Sequence, residues 1–172
     1  MSKDFPRLDY QKLSQNLCCT IPLGDIKLIK TMLFIPEPDS FLLQDTYWKE
    51  YDRSLSGLQS KAFLDVIKGR FVTYPTDFNI PKNINDKRTY FKVEKGTDMN
   101  IASSMLTMAF NDSYDIAILI SGDSDYTTIL TTLRTIGKLS CVAIVEGQNS
   151  KLSAIADSHY TMRENFFNNA LR

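Results

Sequence analysis

The run Ile116-Ala-Ile-Leu-Ile120 stops abruptly at Ser121-Gly122, and Asp123-Ser124-Asp125-Tyr126 leads from there into a helical pattern. A short, continuous apolar segment bounded in this way reads as a strand buried on both faces, the mark of a parallel sheet in an α/β protein. Sites in such sheets form at the carboxyl ends of the strands. Asp123 and Asp125 fall at such an end. Two carboxylates one residue apart repel each other unless a cation sits between them or one is protonated. Acids in this position point to a hard divalent cation, Mg²⁺ or Mn²⁺, and to phosphate chemistry. The competing role for Asp125 is that of N-cap to the next helix.

A second acid lies upstream. Phe91-Lys-Val-Glu-Lys-Gly-Thr-Asp98 passes from a strand-like segment into a helix with Ile101, Met105 and Met108 on one face. Thr97 or Asp98 suits the cap, and Asp98 falls near the positive end of the helix. A well-capped core helix explains these residues equally well when they are read alone. Read with Asp123 and Asp125, they gain a second meaning. One helix and one parallel strand separate the two acid sites, so a βαβ crossover is expected to bring them to one sheet edge.

Glu94-Lys-Gly-Thr-Asp98, the helix after it, Tyr114-Asp115, the run Ile116–Ile120 and Ser121-Gly-Asp-Ser-Asp-Tyr126 together resemble the NYN domain. The similarity is to its LabA/DUF88 branch, within the PIN-like ribonucleases. It continues through Gly137-Lys138, the strand 139–145 and Ser150-Lys-Leu-Ser-Ala-Ile-Ala-Asp157, and is clear over about residues 57–160. The resemblance implies a Rossmann-like, three-layer PIN/NYN α/β fold with a mainly parallel central sheet. It also implies a metal-dependent endoribonuclease that hydrolyses RNA phosphodiester bonds through an acidic cluster. Asp98, Asp123 and Asp125 match the family's acidic positions, as catalytic residues and as ligands of Mg²⁺ or Mn²⁺. Thr97, Ser121, Ser124 and Lys95 flank them as candidate substrate-binding residues, although turn formation is the more ordinary use of the three hydroxyls.

The family pattern opens with an apolar strand ending in an Asp-Gly-x-Asn type motif. Here the chain opens Met1-Ser-Lys-Asp-Phe-Pro-Arg-Leu-Asp-Tyr10, with no apolar strand before Asp4 or Asp9. The first strand and its acid are therefore expected to be missing. Loss of a central strand exposes ladder groups and apolar surface, which calls for a partner, a second copy or a rearranged sheet. The alternative function is a noncatalytic or degenerate NYN-like module that binds RNA or a protein partner.

A chain of 172 residues suggests one domain over 1–172. With 43% hydrophobic and 23% charged residues it is an ordinary globular chain rather than a disordered one. Formal net charge is zero, so a strong nonspecific pull on nucleic acid is not expected. No run approaches a membrane span and no signal-like segment opens the chain, which makes a cytoplasmic location the default. Cys18, Cys19 and Cys141 lack metal-ligand spacing and read as buried or incidental thiols. His159 is the only histidine, which leaves no Ser-His-Asp or Cys-His arrangement. Asp157 reads as a turn or cap residue.

Periodicity predicts a helix over 10–18, a buried strand over 26–35, a helical region over 45–68 closed by Gly69, and a short strand over 70–74. A polar loop over 76–87 and a strand over 88–93 follow. A helix after Asp125, the strand 139–145, a short helix over 151–156, an edge strand over 159–161 and a helix over 164–171 complete the pattern. Lys82, Lys87, Arg88, Lys92 and Lys95, interleaved with Tyr90 and Phe91, suggest a basic rim able to hold single-stranded RNA. An ordinary solvated loop and strand, with Phe91 in the core, is the reading favoured over that rim.

Overall fold

The computed structural model describes residues 8–59, 63–148 and 150–171, in which helices and strands are interspersed along the chain. The elements are α1 (Tyr10–Thr20), β1 (Thr31–Glu37), α2 (Thr46–Leu58), β2 (Leu64–Pro75), β3 (Tyr90–Lys95), α3 (Thr97–Phe110), β4 (Ile116–Ile120), α4 (Thr127–Thr135), β5 (Leu139–Val145), β6 (Ser158–Met162) and α5 (Glu164–Asn168). Short 3-10 turns cover Leu42–Gln44, Ser124–Tyr126 and Lys151–Ala154. Among the described residues the strands form two three-stranded sheets, ordered β1-β2-β3 and β4-β5-β6. This is a mixed α/β architecture, as the sequence predicts, with the described strands in two sheets and not in one central sheet. The chain divides into two units, Met32–Ile101 and the remainder formed by Met1–Thr31 with Ala102–Arg172.

In the second of these units the strands are parallel. Ile118 pairs with Cys141 and Cys141 pairs with Ser158. The middle strand, β5, is buried from Ser140 to Ile144. Alternation sends Cys141 and Ala143 to one face, where they meet Leu13, Leu17 and Ile21 around α1, Met162, and Phe166 and Ala170 around α5. Helix α4 packs on β5 and buries Leu130 and Leu133. Asp9 caps α1 by accepting from Gln11 N–H and Lys12 N–H at 3.1 Å each, and its own N–H donates to the Ala170 carbonyl at 2.8 Å. Of the opening segment, Met1 to Arg7, including Asp4, lies outside the described residues.

The Met32–Ile101 unit departs from the expected pattern. Only Thr46–Leu58 of the stretch 45–68 is helical, and Leu64 and Ile67 belong to β2. Leu58, Phe63, Leu64 and Ile67 carry helix-like spacing, but β-branched and aromatic residues dominate from Val66 to Thr73 and the strand is paired on both sides. Gly69 is therefore an interior strand residue and not a helix stop. Strand β1 starts at Thr31, later than expected, and Ile29 before it is 56% exposed. β3 runs antiparallel to β2, from Arg70↔Lys95 to Pro75↔Tyr90. The expected crossover from β3 to β4 therefore does not arise by strand pairing, since the two strands lie in different sheets.

Helix α2 is capped by Asp45, which accepts from Tyr47 N–H at 2.7 Å. It sets Trp48 edge-on to Phe71 of β2, with centroids 5.5 Å apart, and Tyr51 Oη donates to the Pro36 carbonyl at 2.9 Å. Asp39 ties the turn after β1 to β2. Its carboxylate accepts from Leu42 N–H at 2.9 Å, from Thr73 N–H at 2.8 Å and from the Thr73 hydroxyl at 2.6 Å. Burial alone would raise this carboxyl, but these bonds and the Lys82 charge outweigh it and hold its pKa below the usual value.

Candidate functional site

The loop after β4 is anchored at both ends by burial, at Leu119 and at Tyr126. Between them the backbone closes on its own side chains. Ser121 Oγ accepts from Asp123 N–H at 3.1 Å, and Asp123 Oδ1 accepts from Asp125 N–H at 3.0 Å. The Thr127 hydroxyl donates to the Ser124 carbonyl at 2.7 Å and joins the turn to α4. Asp123, rather than Asp125, is thus the capping residue, and Asp125 lies inside the 3-10 turn. Asp123, Ser124 and Asp125 are all exposed. Capping needs one carboxylate oxygen, so the turn leaves most of the lone pairs of both acids directed to solvent.

Gln148, in the loop after β5, adds a polar residue that local sequence does not single out. Its side-chain Oε1 lies 3.4 Å from where a Cβ on Gly122 would stand. Because β4 and β5 are parallel neighbours, the loops after them share one sheet edge, and the Gln148 amide comes beside the acid loop. Only the pairing of these two strands carries that signal, and it is absent from local composition.

Asp98 belongs to the other unit. It is exposed in the first turn of α3, where the helix dipole favours a carboxylate. Lys95, at the end of β3, is exposed as well. Thr97 is different. It is only 7% exposed, and its hydroxyl has no hydrogen-bond partner and packs against Gly69. Neither a phosphate-facing hydroxyl nor a cap is what the structure makes of Thr97. Its side chain fills the space that the missing Cβ of Gly69 leaves on β2, and so fixes where α3 and Asp98 begin.

Asp157 holds structure together. Its carboxylate accepts from Ser140 N–H at 2.8 Å and the Ser140 hydroxyl at 3.0 Å, and it pairs with the Arg134 guanidinium at 2.9 Å. Burial would raise its pKa, but the Ser140 and Arg134 bonds outweigh burial and hold it below the usual value. Lys138, Gly137's neighbour in the family-like motif, is nearly buried and pairs with Asp112 and Asp115. The basic rim, the less favoured of the two readings of these residues, is not assembled as a rim. Lys82 turns to Thr73 and lies 4.3 Å over the Phe41 ring, while Lys92 lies over Phe71 and Trp48 at 4.1 and 4.8 Å. Arg88 pairs with Asp86. Phe91, expected in the core, is 51% exposed.

Among the described residues no group of three or more His, Cys, Asp or Glu is placed to hold a metal ion. Asp123 and Asp125 nonetheless bring two carboxylates to one turn, with serine hydroxyls beside them. Mg²⁺ retains several waters and is commonly held by one or two carboxylates plus substrate phosphates, so this all-oxygen donor set fits such an ion. No helix among the described residues is long and apolar enough to cross a membrane.

Comparison with known proteins places the chain in a family. No curated protein and no solved structure matches the chain. The family model for the NYN domain matches residues 49–163, more than half of the chain, and spans β3, the start of α3 with Asp98, the acid loop and the Arg134–Asp157 pair. NYN domains belong to the PIN-like nuclease superfamily, and on this match the chain is a member of the NYN domain family.

Proposed function

We propose that this NYN domain is a metal-dependent endoribonuclease that hydrolyses phosphodiester bonds of single-stranded or structured RNA, of the LabA/DUF88-like kind, and that it works in the cytoplasm. The observation that carries the reading is the pair of exposed acids, Asp123 and Asp125, on a hydrogen-bonded turn at the carboxyl end of a parallel strand. Asp123 and Asp125 would hold Mg²⁺ or Mn²⁺ at this turn; Asp98 is carried as a further catalytic and metal-binding acid by its match to the family's acidic positions alone. Such an ion, when bound, supplies a Lewis acid for the phosphate and a more acidic water as nucleophile. The chain's own contribution is to fix the carboxylates. The Ser121 hydroxyl and Asp125 N–H lock Asp123 in one orientation. Ser124 and Gln148 present polar groups at the same edge for phosphate or ribose, and Thr97, Ser121 and Lys95 stay candidate substrate-binding residues on the family resemblance alone.

The test is cleavage of a circular single-stranded RNA, which has no ends for an exonuclease. The expected result is linearisation with Mn²⁺ or Mg²⁺ and none with EDTA. A folded protein that leaves the circle intact with either ion refutes the enzyme. A second reading, a noncatalytic module binding RNA or a protein, draws on the use of Asp123 as a cap, since that use alone accounts for an acid at its position.

A further inference from the structure

The two faces of the β2–β3 hairpin are built differently. On one face Phe71 and Lys92 lie against Trp48 of α2. The other face carries Arg70, Val72 and Tyr74 from β2 and, directly opposite, Lys95, Val93 and Phe91 from β3. Along it the Tyr74 and Phe91 rings stack at 5.7 Å with planes 26° apart, yet they remain 36% and 51% exposed. At the far end Arg70 and Lys95 face each other as like charges, both exposed and neither in an ion pair among the described residues. No carboxylate lies on this face within the paired register. Like charges directly opposite in a ladder cost stability, and rings left in water gain little from burial. Core packing explains neither.

The geometry points to this face as a platform for single-stranded RNA, with bases stacking on Tyr74 and Phe91 and phosphates running to Arg70 and Lys95. An aromatic pair, an apolar floor and a cationic end about 14 Å away suit a flexible polyanion whose bases are unpaired. Strand-paired residues hold the groups at fixed spacing, so little ordering is needed on binding. The inference takes from the proposed function only that the polymer is RNA. It assigns binding to residues of the Met32–Ile101 unit.

The experiment measures binding of the whole chain to a short fluorescein-labelled, mixed-sequence single-stranded RNA in EDTA, where no cleavage enters. Tyr74→Ala and Phe91→Ala should each weaken binding about tenfold. Phe91→Trp should keep the affinity, and retained α2 packing is checked by Trp48 fluorescence in the alanine variants. Arg70→Gln with Lys95→Gln should lower the slope of log affinity against log salt by about 0.7 for each phosphate no longer neutralised. Unchanged affinity in the ring variants, or no RNA binding by the parent, overturns the inference, and a protein partner for this face would then be the better reading. Binding lost in the ring variants of a chain that cuts no RNA would uphold the platform and refute the nuclease.

Discussion

Replacing Gly69 by alanine tests how the start of α3, and with it Asp98, is positioned. A Cβ at residue 69 would stand 2.2 Å from Thr97 Oγ1, 3.1 Å from the Lys95 carbonyl oxygen and 3.2 Å from Thr97 N. Gly69 lies inside β2 and is not among the residues with positive φ, so alanine meets no backbone strain there. By restricting the unfolded chain it would, alone, stabilise by about 0.4–1 kcal/mol. Overpacking acts the other way by about 1–3 kcal/mol. Thr97 escapes poorly, because a β-branched side chain in a helix has few rotamers. The net expectation is a loss of about 1–2 kcal/mol. With Thr97→Ala the closest approach disappears and only the two tighter-than-usual backbone approaches remain, so the same glycine substitution should cost under about 0.5 kcal/mol. Urea unfolding followed by Trp48, the single tryptophan, reads both backgrounds, provided the m-value is unchanged. Equal costs in the two backgrounds, or a stabilised Gly69→Ala, would refute the steric account.

Further outcomes follow from the same packing and hydrogen bonds. Thr97→Val removes a buried hydroxyl without a partner at nearly constant shape, so stability should hold or rise in the same unfolding assay. Asp123→Ala should lose about 1 kcal/mol of cap energy while Asp123→Asn keeps it, so a comparison of the two melting curves separates capping from chemistry. The lowered Asp157 carboxyl stabilises the fold fully above the ordinary value of about 3.9, and that contribution is lost as pH falls through its lower folded value. Asp157→Asn should therefore be less stable than the parent by about 1–3 kcal/mol near neutrality, with the gap narrowing in acid; a gap that widens would contradict the assignment. Burial pushes the Cys141 thiol up to about 11 and raises Cys18 as well, whereas Cys19 is exposed. A thiol reagent should label Cys19 in the folded chain and the other two only on unfolding, as mass spectrometry of the labelled peptides would show.

The second half of the chain was legible because its signals agree. In β4, β5 and α4, apolar runs, helical spacing and stopping glycines all point to the same elements. The acid turn was legible too, although which acid caps it was not, since Asp123 and Asp125 are equally good caps and the bond from Asp125 N–H to the Asp123 carboxylate decides between them. The stretch 45–68 misled because a helical period ran on from a true helix into a strand whose pairing is set by distant partners. Part of that stretch, residues 60–62, lies outside the described residues. Phe91 misled for a related reason. Of two neighbouring aromatics in a strand, Tyr90 and Phe91, one is expected to face the core, and which face Phe91 takes is fixed only by the register with Tyr74. Gln148 and Gly69 owe their importance to neighbours far along the chain, beyond any local pattern.

The account turns on the Asp123–Asp125 turn as the place where a divalent ion is held. The most direct measurement is a Mn²⁺ titration of the ¹⁵N-labelled protein, because the paramagnetic ion broadens amide signals near its site. The account predicts that the amides of Ser121 to Tyr126 broaden first, that Mg²⁺ competes, and that Asp123→Asn with Asp125→Asn removes the effect while leaving the spectrum otherwise folded. Amides of this turn that stay sharp while others broaden, or broadening that persists in the double variant, would contradict it.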